Sequence, residues 1–143
     1  MLDTKQKGNL NELQCITAFY ELGYSVSIPY GDCDRYDFIV DINNKLYRVQ
    51  AKSSRLIDEN GTIVFSCRSS RSNANGCYNR QYTADEIDFF ATYWQGKCYL
   101  VPVEECSSEK KLRFTTPLNG QKVGISYAKD YELCSQISKL LER

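Results

Sequence analysis

The stretch that decides the fold is YDFIVDINNKLYRVQAK, residues 36–52, in which two alternating apolar runs flank the pair Asn43-Asn44. Asparagine is among the few residues that tolerate the positive φ angles of a two-residue hairpin turn. The pattern therefore predicts an antiparallel hairpin with its tip at this pair. In that register Asp37 lies opposite Gln50, with both side chains on one face and about 5 Å apart.

One face of the second predicted strand is wholly polar and carries Arg48, Gln50 and Lys52. Lys52 lies two residues beyond Gln50 and points to the same face, roughly 7 Å further along the strand. An acid (Asp37), an amide and a lysine are therefore expected to converge. A solvated face of an antiparallel sheet would explain the same pattern without any site.

The functional interpretation of this face is a Mg²⁺ site for phosphodiester hydrolysis. Asp37, the side-chain carbonyl of Gln50 and the backbone carbonyl of Ala51 offer the oxygen ligands that hard divalent cations prefer. Such an ion activates water and offsets the charge that develops on the phosphate. Lys52 would orient the water or stabilise the phosphorane. Glu12, on the predicted first helix, is the candidate second carboxylate; the alternative is an ordinary half-exposed helix glutamate.

The rest of the chain alternates between helix and strand signals. The first helix is expected to bury a stripe made of Leu10, Leu13, Ile16 or Thr17, and Tyr20. Thr83 and Glu86 form a capping box, a common start of a helix. The chain is predicted to be a mixed α/β domain (an α+β mixed sheet) in the order helix, strand, hairpin, strand, helix, strand and C-terminal helix. The predicted segments are helices at residues 7–22, from Thr83 and from Tyr127, strands at 24–30, 62–67, 98–103 and 112–115, and a polar loop at 68–82.

Composition limits the chemistry available to this chain. It has 143 residues with 18 basic and 18 acidic side chains, seven cysteines and no histidine. The length fits one domain, residues 1–143. Catalytic triads, His-coordinated zinc and His-metal nuclease chemistry all need an imidazole and are excluded. Without Cys-x-x-Cys spacing the cysteines are interpreted as reduced thiols, and without a long apolar run we expect a soluble, cytoplasmic protein and no membrane partner.

Although the formal charge is zero, its distribution is uneven. No acidic residue occurs between Glu59 and Asp85, whereas arginines, amides and tyrosines are frequent there. Arginine and amide side chains read base edges, and hydroxyls bind phosphates. The same composition also suits a flexible surface loop. The candidate DNA-binding residues are Ser53, Ser54, Arg55, Arg68, Arg71, Tyr78, Asn79 and Arg80.

These residues also carry a family resemblance. Glu12 on an N-terminal helix, Asp37 opening a strand, and Gln50 with Lys52 on the next resemble the PD-(D/E)xK nuclease superfamily, with glutamine in place of the central acid and Tyr36 in place of proline. The surrounding segments are similar, more narrowly, to the bacterial group I intron homing endonucleases of this superfamily, over about residues 7–131. Those segments are KGN at 7–9, PYGD at 29–32, YRVQ at 47–50, KSS at 52–54, EIDFFA at 86–91 and YLVP at 99–102.

The resemblance implies a restriction-endonuclease-like fold, Mg²⁺-dependent cleavage of double-stranded DNA with Mn²⁺ as a substitute, and assembly as a homodimer or homotetramer. It implies Glu12, Asp37, Gln50 and Lys52 as the active-site residues. The sequence thus predicts a site-specific DNA endonuclease of the intron-homing type. Two alternatives stay open, a Holliday-junction resolvase of the same fold and a DNA-binding module without catalysis.

Overall fold

The hairpin predicted around Asn43 and Asn44 forms the centre of the computed structural model, which describes residues 1–59, 61–115 and 124–142, without the side chains of residues 70–73, 77 and 78. Asn43 and Asn44 have φ angles of 55° and 67°. They join β2 (Phe38–Ile42) to β3 (Lys45–Ala51), which pair in the predicted antiparallel register, Ile42 opposite Lys45. We refer to β2 and β3 as the first hairpin.

The first hairpin belongs to a five-stranded mixed sheet of order β1-β2-β3-β8-β9, in which β1 is Ser25–Ser27, β8 is Phe89–Trp94 and β9 is Lys97–Pro102. Strands β1 and β9 form its two edges. Strand β8 runs parallel to β3, whereas the other neighbours are antiparallel. A parallel pair needs a long crossover, and here the described residues of the crossover, within 52–88, contain four short strands.

Two helices pack on this sheet. Helix α1 (Thr4–Glu21) begins with a capping box between Asp3 and Gln6 and contacts β8, and α2 (Leu133–Leu141) follows a 3₁₀ turn (Ala128–Tyr131) and contacts β9. Neither helix in the described part of the chain is long and apolar enough to cross a membrane. The cysteines described there, Cys15, Cys33, Cys67, Cys98, Cys106 and Cys134, are free thiols.

The apolar stripe predicted for α1 is wrong at three of its four positions. Leu10, Leu13 and Tyr20 are exposed, whereas Ile16 packs against the core. The residues that the helix buries are Asn11, Cys15 and Phe19. Phe19 packs edge-on against Phe38 of β2, with ring centroids 5.8 Å apart. The two possible faces have similar apolar content, so periodicity alone could not choose between them.

The helix predicted from Thr83 is also wrong, because the segment is a turn followed by strand β8. Glu86 N–H donates to the Thr83 backbone carbonyl, and the Glu86 carboxylate accepts from Thr83 N–H, so the Glu86 half of the capping box forms without a helix. In β8, Phe89 joins one hydrophobic cluster and its neighbour Phe90 joins the other, on opposite faces of the sheet. A strand covered on both faces carries consecutive apolar residues, which can resemble a helical stripe.

The segment predicted to be a polar loop at residues 68–82 is a second hairpin. Strands β6 (Arg68–Asn73) and β7 (Gly76–Gln81) form a two-stranded sheet of their own. We call this pair the second hairpin. A third sheet is small and consists of β4 (Arg55–Leu56), β5 (Thr62–Ser66) and β10 (Glu109–Arg113), in the order β10-β5-β4. Apart from these corrections, the mixed α/β class is confirmed.

Candidate active site

Asp37 is held at the open end of the first hairpin, beside the last residues of β3. Its backbone N–H donates to the Val49 carbonyl at 2.8 Å, directly before the first pair of the ladder, Phe38 opposite Val49. Ala51 N–H donates to Asp37 Oδ2 at 2.9 Å. The carboxylate therefore has one oxygen anchored to β3.

Glu12 approaches this carboxylate from helix α1. Asn11 Oδ1 accepts a hydrogen bond from Tyr93 N–H of β8 at 2.9 Å, which fixes this turn of the helix against the sheet. Burial raises the pKa of the Glu12 carboxyl, and the negative charge of Asp37 raises it further. Burial also raises the pKa of Asp37, against the opposing effects of the Ala51 N–H and Lys52. Two desolvated carboxyl groups thus lie close enough to repel each other.

Lys52 follows β3 directly and lies in the electrostatic range of Asp37. Its backbone N–H donates to the Ala91 carbonyl, which continues the contact with β8, and its Nζ donates to the Arg68 carbonyl at 3.0 Å. Burial lowers the pKa of the ammonium, and Arg35 lowers it further, while Asp37 and Cys67 act in the opposite direction. The charge of Lys52 therefore lies between the site and the start of the second hairpin.

Gln50 completes the predicted set and is half-buried on the same face. Its Nε2 donates to the Ala51 carbonyl at 3.3 Å. Among residues 1–59, 61–115 and 124–142, no group of three or more His, Cys, Asp or Glu side chains could hold a metal ion. Two carboxylates, an amide oxygen and a backbone carbonyl nevertheless suit Mg²⁺, which commonly uses one or two carboxylates and keeps several waters. The mutual repulsion of the two carboxyl groups is what a divalent cation would relieve, so these residues fit the ion.

The candidate DNA-binding residues lie beyond Lys52 and along the second hairpin. Ser53 and Arg55 are exposed, whereas the Ser54 hydroxyl lies 2.6 Å from that of Thr92. Asn79 and Arg80 are exposed on β7, and Arg80 forms an ion pair with Glu86 at 2.7 Å. Arg68 contributes its carbonyl to Lys52. The side chains of Arg71 and Tyr78 lie outside the described residues, although their backbones pair across the hairpin.

Arg35 is a structural residue that the sequence did not reveal as such. Each of its three guanidinium nitrogens donates a hydrogen bond: Nε to Glu86 Oε2 at 3.0 Å, Nη1 to Ser69 Oγ at 2.6 Å, and Nη2 to the Gln81 carbonyl at 3.1 Å. Its guanidinium carbon lies 3.9 Å from the ring centroid of Tyr82. Because Ser69 and Gln81 lie at the base of the second hairpin, Arg35 ties that base to the start of the strand at Asp37.

Arg48 has a comparable role on the other side of the site. Its Nε and the Asp88 carboxylate form an ion pair at 3.3 Å, and its Nη atoms donate to the carbonyls of Ala84 and Asp85. Arg48, a cation on the polar face of β3, therefore holds the turn before β8.

The sequence signal that was missed for the second hairpin is the Asn75-Gly76 dipeptide, which is a typical hairpin turn sequence.

Comparisons with known proteins support the fold and assign a family. A family model described as PD-(D/E)XK endonuclease matches residues 2–134. A solved structure described as a bacterial homing endonuclease, I-Ssp6803I, is 25% identical to this chain, with a TM-score of 0.77. The similarity covers 99% of this chain and 99% of that one. No curated protein matches.

Proposed function

Because the chain belongs to the PD-(D/E)XK endonuclease family, we propose that it is a site-specific endonuclease that hydrolyses both strands of double-stranded DNA with Mg²⁺, for which Mn²⁺ can substitute. The observation that carries the proposal is the meeting of Asp37, Glu12 and Lys52 at the open end of the first hairpin. Two half-buried carboxyl groups beside a half-buried lysine cost stability, which is typical of a functional site.

The proposed roles follow from the chemistry of each group. Asp37, Glu12, the side-chain oxygen of Gln50 and the carbonyl of Ala51 would hold the ion, which supplies a Lewis acid that activates water and stabilises charge on the phosphate. Lys52 is placed to stabilise the negative charge that develops on the scissile phosphate and to orient the attacking water. In-line attack by water would leave a 5′-phosphate and a 3′-hydroxyl.

The second hairpin is the proposed reading element. A two-stranded ribbon fits the major groove, about 12 Å wide, where arginine and amide side chains reach base edges. The exposed Asn79 and Arg80 support this role. Its proposed contacts are Arg68, Arg71, Tyr78, Asn79 and Arg80, with Ser53, Ser54 and Arg55 contacting phosphates beside the cut.

The proposal includes a role in intron homing and assembly of several chains. The homing role is supported by the similarity to a bacterial homing endonuclease along nearly the whole chain. A homodimer or homotetramer is proposed because one chain supplies one site, whereas cutting two strands needs two, and specific recognition buries about 1,000–2,500 Å² of protein. Location of the gene inside a self-splicing intron would support homing independently of any biochemistry.

The test begins with a target selected by the wild-type protein from a randomised duplex library in the presence of Mg²⁺. On that target we expect Asp37→Asn to lower the single-turnover rate by about 10³-fold, since a missing electrostatic group at a phosphate costs this much. Lys52→Met should have a similar effect. Light scattering of the protein–DNA complex should give at least two chains.

Asp41→Asn is the matched control, because Asp41 lies on the same hairpin next to the turn, away from its open end. It should cut at the wild-type rate. Full activity of Asp37→Asn, cleavage in EDTA, or a strictly monomeric complex would contradict the proposal. Preference for four-way junctions over linear duplex would favour a resolvase. Binding without cleavage, in both the wild type and Gln50→Glu, would favour a non-catalytic module.

A further inference from the structure

Tyr82 lies where the second hairpin meets the candidate active site. It follows β7 directly and is half-buried, and its ring packs edge-on against Phe90 of β8, with centroids 5.3 Å apart and an interplanar angle of 87°. Phe90 itself belongs to the hydrophobic core. The ring is therefore fixed to the main sheet on one edge.

Two cations approach this ring. The guanidinium carbon of Arg35 lies 3.9 Å from the ring centroid, and Lys52 Nζ lies 5.3 Å from it. Both distances fall within the range of cation–π attraction. Arg35 is already committed through hydrogen bonds from all three of its nitrogens, so its position is set by the hairpin base.

Lys52 is held differently. A lysine side chain has four flexible methylene groups and loses considerable entropy when its ammonium is confined. Here the ammonium has a hydrogen bond to the Arg68 carbonyl, at 3.0 Å, and the face of Tyr82. Arg68 starts the second hairpin and Tyr82 follows its end, so both restraints come from the base of that hairpin.

We propose that Tyr82 is a positioning residue, whose ring holds the Lys52 ammonium at the edge of the active site while Arg35 holds the ring. The role of Lys52 in cleavage rests on the proposed function. The consequence is that the element that reads DNA also positions the lysine that serves the reaction, so misplacement of the second hairpin misplaces Lys52.

The proposal is tested by separating the ring from the hydroxyl of Tyr82, which interacts with Ser69. On the selected target, Tyr82→Leu should lower the single-turnover rate at saturating protein by about tenfold, because a cation–π contact contributes on that scale. Tyr82→Phe, which keeps the ring, should retain at least half of the rate. The Kd for the target should change less than twofold in both, whereas a purely structural role would weaken binding as well.

Tyr127→Leu is the matched control, since Tyr127 is also half-buried and has a lysine over its ring, Lys129 Nζ at 5.9 Å from the centroid, outside the site. It should cut at the wild-type rate. A Tyr82→Leu rate equal to wild type, or equal losses in Tyr82→Leu and Tyr82→Phe, would overturn the positioning role.

A second measurement needs neither cleavage nor a variant of Tyr82. In protein carrying ¹³C-lysine, the Lys52 ε-protons, assigned by comparison with Lys52→Arg, should be shifted upfield by the ring current of Tyr82. Wild-type resonances at the ordinary lysine position would overturn the proposal even if Tyr82→Leu does not fold. A wild-type protein that cuts no library sequence but shows the shift would instead count against the proposed function.

Discussion

The two hairpins of this protein are both antiparallel pairs of strands, but the first is part of the hydrophobic core and the second lies outside it. In the first hairpin, Phe38, Val40 and Ile42 are buried with their neighbours in the middle of the five-stranded sheet. The second hairpin forms a separate two-stranded sheet, and its described side chains are exposed or half-buried. A hairpin in the core can hold desolvated catalytic groups, whereas one outside it can extend toward a large ligand.

The attachment of the second hairpin explains how it can be placed without a core of its own. An isolated two-stranded hairpin is at best marginally stable in water. Here its base is held by Arg35, which contacts Ser69 and Gln81, and by the hydrogen bond from Lys52 to Arg68. The polar contacts at the base replace the apolar burial that stabilises the first hairpin.

The largest expected effect comes from shortening the second hairpin. Ser69 and Arg80 are cross-strand partners, so an Asn-Gly turn can join them in place of residues 70–79. We expect binding to the selected target to weaken by at least roughly 10³-fold, toward non-specific affinity, while the melting temperature changes little. Binding is measured by anisotropy in the Asp37→Asn background, which prevents cleavage.

This deletion is selective, because it removes residues 70–79 and keeps the contacts of Arg35 with Ser69 and Gln81 at the base of the hairpin. If the shortened protein binds its target as tightly as the full-length chain, the second hairpin is not the reading element. If it instead unfolds, the hairpin contributes to the core more than its exposed side chains indicate.

The next effect distinguishes the arginines of the two hairpins. Arg48 is about two-thirds buried at its side chain (31% exposed) and holds the turn before β8, whereas Arg80 is 68% exposed. Arg48→Met should lower the free energy of unfolding by about 1–3 kcal/mol, because it removes the half-buried ion pair with Asp88 and the hydrogen bonds to the carbonyls of Ala84 and Asp85. Arg80→Met should change it by less than about 0.5 kcal/mol.

Urea denaturation of both variants measures this difference. Equal losses of stability would mean that the ion pair of Arg80 with Glu86 contributes as much as the three contacts of Arg48, with Asp88, Ala84 and Asp85. Arg80→Met should nevertheless weaken target binding, which the same preparation can show.

The smallest effect concerns the two hairpin tips. Asn44 has a φ of 67°, whereas at the second tip the positive φ belongs to Gly76 (128°) and not to Ala74. Asn44→Val should therefore cost about 1–2 kcal/mol, the penalty of a β-branched residue in the left-handed region. Ala74→Val should stay within about 0.5 kcal/mol. Thermal denaturation compares them; a neutral Asn44→Val would show that the turn relaxes.

Parts of the fold followed from the sequence because the signal was local. Asn43-Asn44 between alternating runs was sufficient for the first hairpin and its register, which brings Asp37 beside Ala51. The capping box of Thr83 and Glu86 was misleading, since the bond from Thr83 N–H to the Glu86 carboxylate also forms in a turn before a strand. The same local contacts can precede either a helix or a strand, and packing of Phe89 and Phe90 on opposite faces of the sheet stabilises strand β8.

The sequence by itself determined the first hairpin, the mixed α/β class, the exclusion of imidazole chemistry and the residue types available for a magnesium site. The tertiary structure decided which face of α1 is buried, and with it the approach of Glu12 to Asp37. It also decided that residues 68–81 form a hairpin, and that Arg35, Tyr82 and Lys52 meet at its base. The physical reason is range: turn preferences act over a few residues, whereas burial and cation contacts depend on segments far apart in the chain.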